Sequence, residues 1–164
     1  MALAAAPPVA ACPVNEPEYY LPRVELGEAA PEVHAVAVRN GGILEMAPGK
    51  VNVVYMFATW AAPSQPGLVM LETLNKKQRG AVPIIALAAD NRDPKSTANV
   101  ARFAKTNGPS LAVGMDPDQT NQLQYGYALP MAYVVDKHGR LRFALSPNAM
   151  SNLDADVKIL TDEP

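Results

Sequence analysis

Few groups in this chain are able to do chemistry, and their placement excludes most of it. Ser64 closes the turn Trp60-Ala61-Ala62-Pro63-Ser64, which lies between an apolar run from Val51 to Ala58 and an apolar stretch at helical spacing. A serine hydroxyl is far too basic to serve as a nucleophile without an adjacent general base, and no histidine or acidic residue lies near Ser64 in sequence. The single cysteine, Cys12, sits among alanines and prolines far upstream, so the chain has no internal disulfide and no Cys-rich metal site. The two histidines, His34 and His138, lie about a hundred residues apart without cysteine partners, a poor set for zinc. Asp90, Asp93, Asp116 and Asp118 fall in loops at the starts of expected helices, where capping and turn formation account for them. No glycine-rich loop cradles a phosphate. Neither a metal nor a cofactor is expected.

The elements that position this turn read clearly. Val51 to Phe57 is β-branched and aromatic, and it ends in a Pro-punctuated turn, as a buried central strand feeding a helix does. Gln65 to Arg79 places Leu68, Leu71 and Leu74, with Val69, on one helical face. Pro66 is tolerated in the first turn, and Ser64 is expected as the N-cap. Val33 to Val38 alternates as an edge strand would, and Asn40-Gly41-Gly42 then turns the chain into a second short strand, Ile43 to Met46. Val82 to Ala88 is another buried strand. Lys95 to Thr106 carries Val100, Phe103 and Ala104 at helical spacing, and Leu111 to Met115 is a short strand. A brief helix holds Leu123 and Tyr125 before the strand Met131 to Val135. Leu141 to Leu145 pairs back across the polar turn Asp136 to Arg140. A last short helix covers Val157, Ile159 and Leu160, with a loose end over Thr161 to Pro164.

Composition sets the outer limits. With 164 residues, 49% of them hydrophobic and 18% charged, one domain with a real core is expected. A net charge of −2 gives no basic footprint for nucleic acid, and no apolar run approaches the ~20 residues needed to cross a bilayer. One cysteine points to a reducing, cytoplasmic setting. Residues 1–25 read as a separate arm: alanine-rich and broken by prolines, they do not hold a regular helix. Neither the secretory nor the mitochondrial leader pattern fits, since the first basic residue is Arg23. The arm is either a flexible extension or a partner-bound segment that orders on binding through Tyr19, Tyr20 and Leu21. Residues 26–164 make the domain.

Four pieces, in order, carry a family resemblance: Gly27-Glu28-Ala29-Ala30-Pro31; Gly49-Lys50-Val51 with Phe57-Ala58-Thr59-Trp60; Ala128-Leu129-Pro130; and Val134-Val135-Asp136-Lys137-His138-Gly139. Together they resemble the thioredoxin-like superfamily, in its redoxin (AhpC/TSA-type) branch, over about residues 26 to 145. The resemblance implies an α/β three-layer sandwich, a mixed central sheet flanked by helices. It also implies that Pro130 is a cis-proline facing the turn after the central strand. Redox-active members carry Trp-Cys-x-x-Cys, whose first thiolate attacks a disulfide from a helix N-terminus. Here Ala61 and Ser64 stand at the two cysteine positions. A peroxiredoxin-type nucleophile, three residues after Thr59, would fall at Ala62 and is also missing.

The function expected is therefore that of a redox-inactive thioredoxin-like protein. It would bind proteins or serve as a structural subunit of a larger assembly, cytoskeletal or axonemal by analogy with other cysteine-less relatives. The binding groove implied by the fold runs through Trp60, Ala62, Pro63, Leu129 and Pro130. The alternative is a thiol-disulfide oxidoreductase whose cysteines were replaced at Ala61 and Ser64.

Overall fold

A computed structural model describes residues 23–91 and 93–164. Its organising element is β3 (Asn52–Phe57), every residue of which is buried. A strand buried on both faces must have helices above and below it, and the β-branched and aromatic side chains of β3 alternate between two cores. Val53, Tyr55 and Phe57 point into one core with Leu68 and Leu71 of α1 (Ser64–Gln78), Val100 and Ala104 of α2 (Pro94–Asn107), and Val157 and Leu160 of α4 (Leu153–Asp162). Val54 and Met56 point into the other, with Tyr125 of α3 (Thr120–Tyr125) and Val33. The result is the expected three-layer sandwich.

The remaining strands are β1 (Ala35–Ala37), β2 (Ile43–Leu44), β4 (Ile84–Ala88), β5 (Ala112–Met115), β6 (Met131–Val135) and β7 (Leu141–Leu145). They form one seven-stranded mixed sheet in the order β2-β1-β5-β4-β3-β6-β7. β3, β4 and β5 run parallel through the crossover helices α1 and α2. β6 and β7 form the antiparallel hairpin at one end.

Three sequence expectations need correction. β1 is not an edge strand: it lies between β2 and β5, pairing Val36 with Met115, and β2 takes the edge. Its alternation looked like an edge because one face, at Val36, is exposed. Val69 and Ile159 lie on the solvent side of their helices, while Leu68, Leu71, Val157 and Leu160 are buried. The C-terminal end is not loose: α4 runs to Asp162, and the Glu163 carboxylate receives two bonds from the Arg142 guanidinium, at 2.9 and 3.0 Å. Such a fork-to-fork pair fixes position as well as adding energy.

Candidate functional site

The turn after β3 and the loop before β6 meet at one end of the sheet. β3 and β6 pair antiparallel up to Met56 opposite Met131, so the next step of the register sets Phe57 against Pro130. The Leu129–Pro130 peptide is cis, as the family resemblance implied. Trp60 is 72% exposed, Ala62 and Pro63 are exposed, Ala61 and Leu129 are half-buried, and Pro130 is buried. The sequence-predicted groove residues are thus brought to one end of the sheet as an apolar surface with an aromatic rim. Tyr19, Tyr20 and Leu21 lie outside the described residues, as does Cys12.

Ser64 is not the N-cap. Pro63 takes that place without a side-chain cap, and Ser64 is the first helical residue, fully buried. Its hydroxyl accepts a hydrogen bond from the Ala58 N–H at 3.3 Å, and its carbonyl accepts one from the Tyr55 hydroxyl at 3.3 Å. The turn folds back on β3, so the serine oxygen meets the end of the strand before it can reach a helix N–H. Among the described residues, no imidazole or carboxylate bonds to the Ser64 hydroxyl. Nothing there prepares it as a nucleophile.

α1 reaches this position because Gly67 lets it lie directly on Tyr55. A Cβ added at Gly67 would stand 1.9 Å from the Tyr55 hydroxyl oxygen. Burial pushes the phenol of Tyr55 well above its ordinary range, so it stays a neutral donor.

A contact not expected from sequence fixes the other side of the turn. The Asp90 carboxylate, just beyond β4, accepts from the Thr59 N–H at 2.9 Å and from the Thr59 hydroxyl. This clasp holds the residue before Trp60 from the neighbouring strand. Its only sequence signal was an acidic residue just past a strand that pairs with β3. Two of the other loop aspartates do the capping work expected of them: Asp93 caps α2 through the Ser96 N–H at 2.9 Å, and Asp116 accepts from the N–H groups of Asn121 and Gln122. Among the described residues, no group of three or more His, Cys, Asp or Glu side chains is placed to hold a metal ion. His34 is exposed, its Nε2 3.3 Å from Glu32.

A cavity of about 470 Å³ lies at the opposite end of the sheet, lined by Val33, Met46, Pro48, Asn52 and Val135 among others. It is remote from Trp60 and Pro130. Its buried polar neighbours are already satisfied: Asn52 bonds to Ala47 and Lys50, and Asp136 to the N–H groups of His138 and Arg140. Among the described residues no helix is long and apolar enough to cross a membrane.

Fold and site together define a thioredoxin-like architecture, with Trp60-Ala61-Ala62-Pro63 in the turn between β3 and α1 and Ser64 as the first residue of α1. Comparison of structures agrees on the architecture. A candidate protein disulfide isomerase from Bacteroides thetaiotaomicron superposes with a TM-score of 0.75 at 19% identity, over 88% of this chain and 94% of that one. A thioredoxin-family thiol:disulfide interchange protein from Chlorobium tepidum TLS gives 0.69 at 22% identity, over 84% and 98%. A peroxiredoxin-like protein from Aquifex aeolicus gives 0.69 at 16% identity, over 86% and 90%. No family model matches the sequence, and no curated protein does.

Proposed function

We propose that this protein is a redox-inert thioredoxin-like module that works by binding polypeptide, as a docking or structural subunit of a larger assembly. The observation that carries this reading is an exposed tryptophan at an apolar end of the sheet beside a serine with no general base among the described residues. Trp60 stands 72% exposed beside a cis Leu129–Pro130 loop, and neither Ala61 nor Ser64 brings a thiol to the turn. An exposed tryptophan over an apolar floor is the kind of anchor that dominates protein interfaces. The Asp90 clasp on Thr59 supplies preorganisation, which lowers the cost of binding. A net charge of −2 favours protein partners over nucleic acid. A reducing compartment, the cytoplasm or its cytoskeleton, suits a chain with one cysteine.

The test is selection of extended peptides on the full chain, followed by titration against Trp60→Ala. A hot-spot tryptophan contributes at least ~2 kcal/mol, so the variant is expected to bind about thirtyfold or more weakly. Equal affinity for both proteins would remove the groove from the account. The second reading, an oxidoreductase whose cysteines were replaced, draws on the thiol:disulfide interchange protein among the structural neighbours. It predicts that Ala61→Cys/Ser64→Cys acquires disulfide-reducing activity.

A further inference from the structure

We infer that the groove of this protein is covered by the chain's own N-terminal segment, residues 1–22, with Tyr19-Tyr20-Leu21 seated against Trp60 and Leu129. The inference rests on the groove being a polypeptide site and names its resident occupant. The first support is where the segment joins the domain. The Arg23 N–H donates to the Tyr125 carbonyl at 2.9 Å, its Nη1 donates to the Leu123 carbonyl at 3.2 Å, and its guanidinium lies 4.5 Å over the Tyr127 ring. Tyr127 is three residues before Pro130. The segment therefore leaves the domain beside the loop that forms one wall of the groove.

The second support is the surface at that point. Leu123 and Tyr127 are 47% and 52% exposed, and both lie beside the Arg23 anchor as an uncovered apolar surface. The third is reach. At ~3.3–3.6 Å per extended residue, Tyr20 lies within ~11 Å of Arg23 along the chain, and the whole segment spans up to ~75 Å. Its prolines, at 7, 8, 13, 17 and 22, favour the extended form that such a groove holds.

Charge supplies the fourth. Glu16 and Glu18 are the only charged side chains of residues 1–22. A trough of about 430 Å³ begins at Thr59 and runs along α2, where it is lined by Arg102 and by the amides Gln65, Asn99 and Asn107. The Arg102 guanidinium bonds to Asn99 Oδ1 at 2.7 Å and has no acidic partner among the described residues. Tethering raises the local concentration of a short segment to the order of 1 mM. A segment with an intrinsic Kd of about 0.1 mM would then hold the groove about nine-tenths of the time, weakening any external peptide about tenfold.

Trp60 is the only tryptophan, so acrylamide quenching of intrinsic fluorescence reads this one site. The comparison is the full chain against the full chain carrying Tyr19→Ser/Tyr20→Ser/Leu21→Ser. Quenching is expected to rise several-fold in the triple variant, and a selected extended peptide is expected to bind it about tenfold more tightly. Equal quenching and equal affinity would overturn self-occupancy and leave the groove reading standing, whereas absence of peptide binding to either protein would count against both. Protection of Trp60 that disappears on dilution would mean a second copy supplies the segment, and would overturn occupancy within one chain. If the triple variant loses its fold, Glu16→Lys/Glu18→Lys, which sets like charges against Arg102, carries the same two expectations.

Discussion

Gly67→Ala tests how α1 is held on β3, and its sign is diagnostic. In an unconstrained helix interior, replacing glycine by alanine stabilises by about 1 kcal/mol. At Gly67 the new Cβ would stand 1.9 Å from Tyr55 Oη, 2.6 Å from Cζ and 3.2 Å from Cε2. Tyr55 cannot swing aside, because its ring is fully buried in β3 and stacked on Phe57 with centroids 5.9 Å apart. Overpacking of a filled core costs about 1–3 kcal/mol, and contacts this short place Gly67 at the upper end. Subtracting the helix gain leaves a net loss of about 2 kcal/mol. For a chain of this size that is a fall in Tm of about 4–8 °C, measured with urea unfolding alongside the thermal melt. Tyr55→Phe removes the Oη contact but not the Cζ contact. The double variant should therefore lose less than the sum of the two single changes, with a coupling of about 1 kcal/mol. A stabilising Gly67→Ala would refute the packing argument.

Further expectations concern the core, the pH limb and the turn after β3. Val54→Ala, at a fully buried position of β3, should lose about 2–5 kcal/mol in urea unfolding, and a loss within ~0.5 kcal/mol would contradict its place in the core. Burial alone would raise the carboxyl pKa of Asp136, but the N–H groups of Arg140 and His138 and the Arg142 guanidinium outweigh it and hold the group below its ordinary value. Glu72 is likewise held low by Ser110 and Lys76 against the effect of burial. A carboxyl whose pKa is depressed on folding contributes stability above its unfolded pKa, which is lost as pH falls through the folded value. Unfolding free energy should therefore be flat near neutrality and decline below pH ~4, with a shallower decline in Asp136→Asn and Glu72→Gln. Ala61→Cys/Ser64→Cys tests whether the turn still has redox geometry: a disulfide forming under mild oxidant, with insulin reduction appearing, would revive the oxidoreductase reading.

The parts of this fold legible in the sequence are those set by local patterning. Val51 to Phe57 announced a buried strand because five of its seven residues are β-branched or aromatic, and Leu68, Leu71 and Leu74 announced a helix face. The order of elements, with Pro130 just before the last hairpin, then led to the architecture. What stayed hidden depends on which distant segments meet. β1 read as an edge because its pairing with β5 joins residues nearly eighty positions apart, such as Val36 and Met115. Ser64 read as a cap because that motif is local, yet the turn folds back and its hydroxyl accepts the Ala58 N–H instead. The clasp of Asp90 on Thr59 and the fork between Arg142 and Glu163 are tertiary contacts between residues whose types fit many surface roles. Thr161 to Pro164 looked loose for the same reason.

The central claim is that polypeptide binds at the Trp60 end of the sheet without thiol chemistry. Backbone amide shifts of the full chain, followed during titration with a selected extended peptide, test it most directly. The account predicts that the largest changes fall at Thr59, Trp60, Ala61 and Leu129, with Asp90 following as its bond to Thr59 responds. Changes confined to Val33, Met46, Lys50 and Val135, around the cavity at the far end of the sheet, would contradict it.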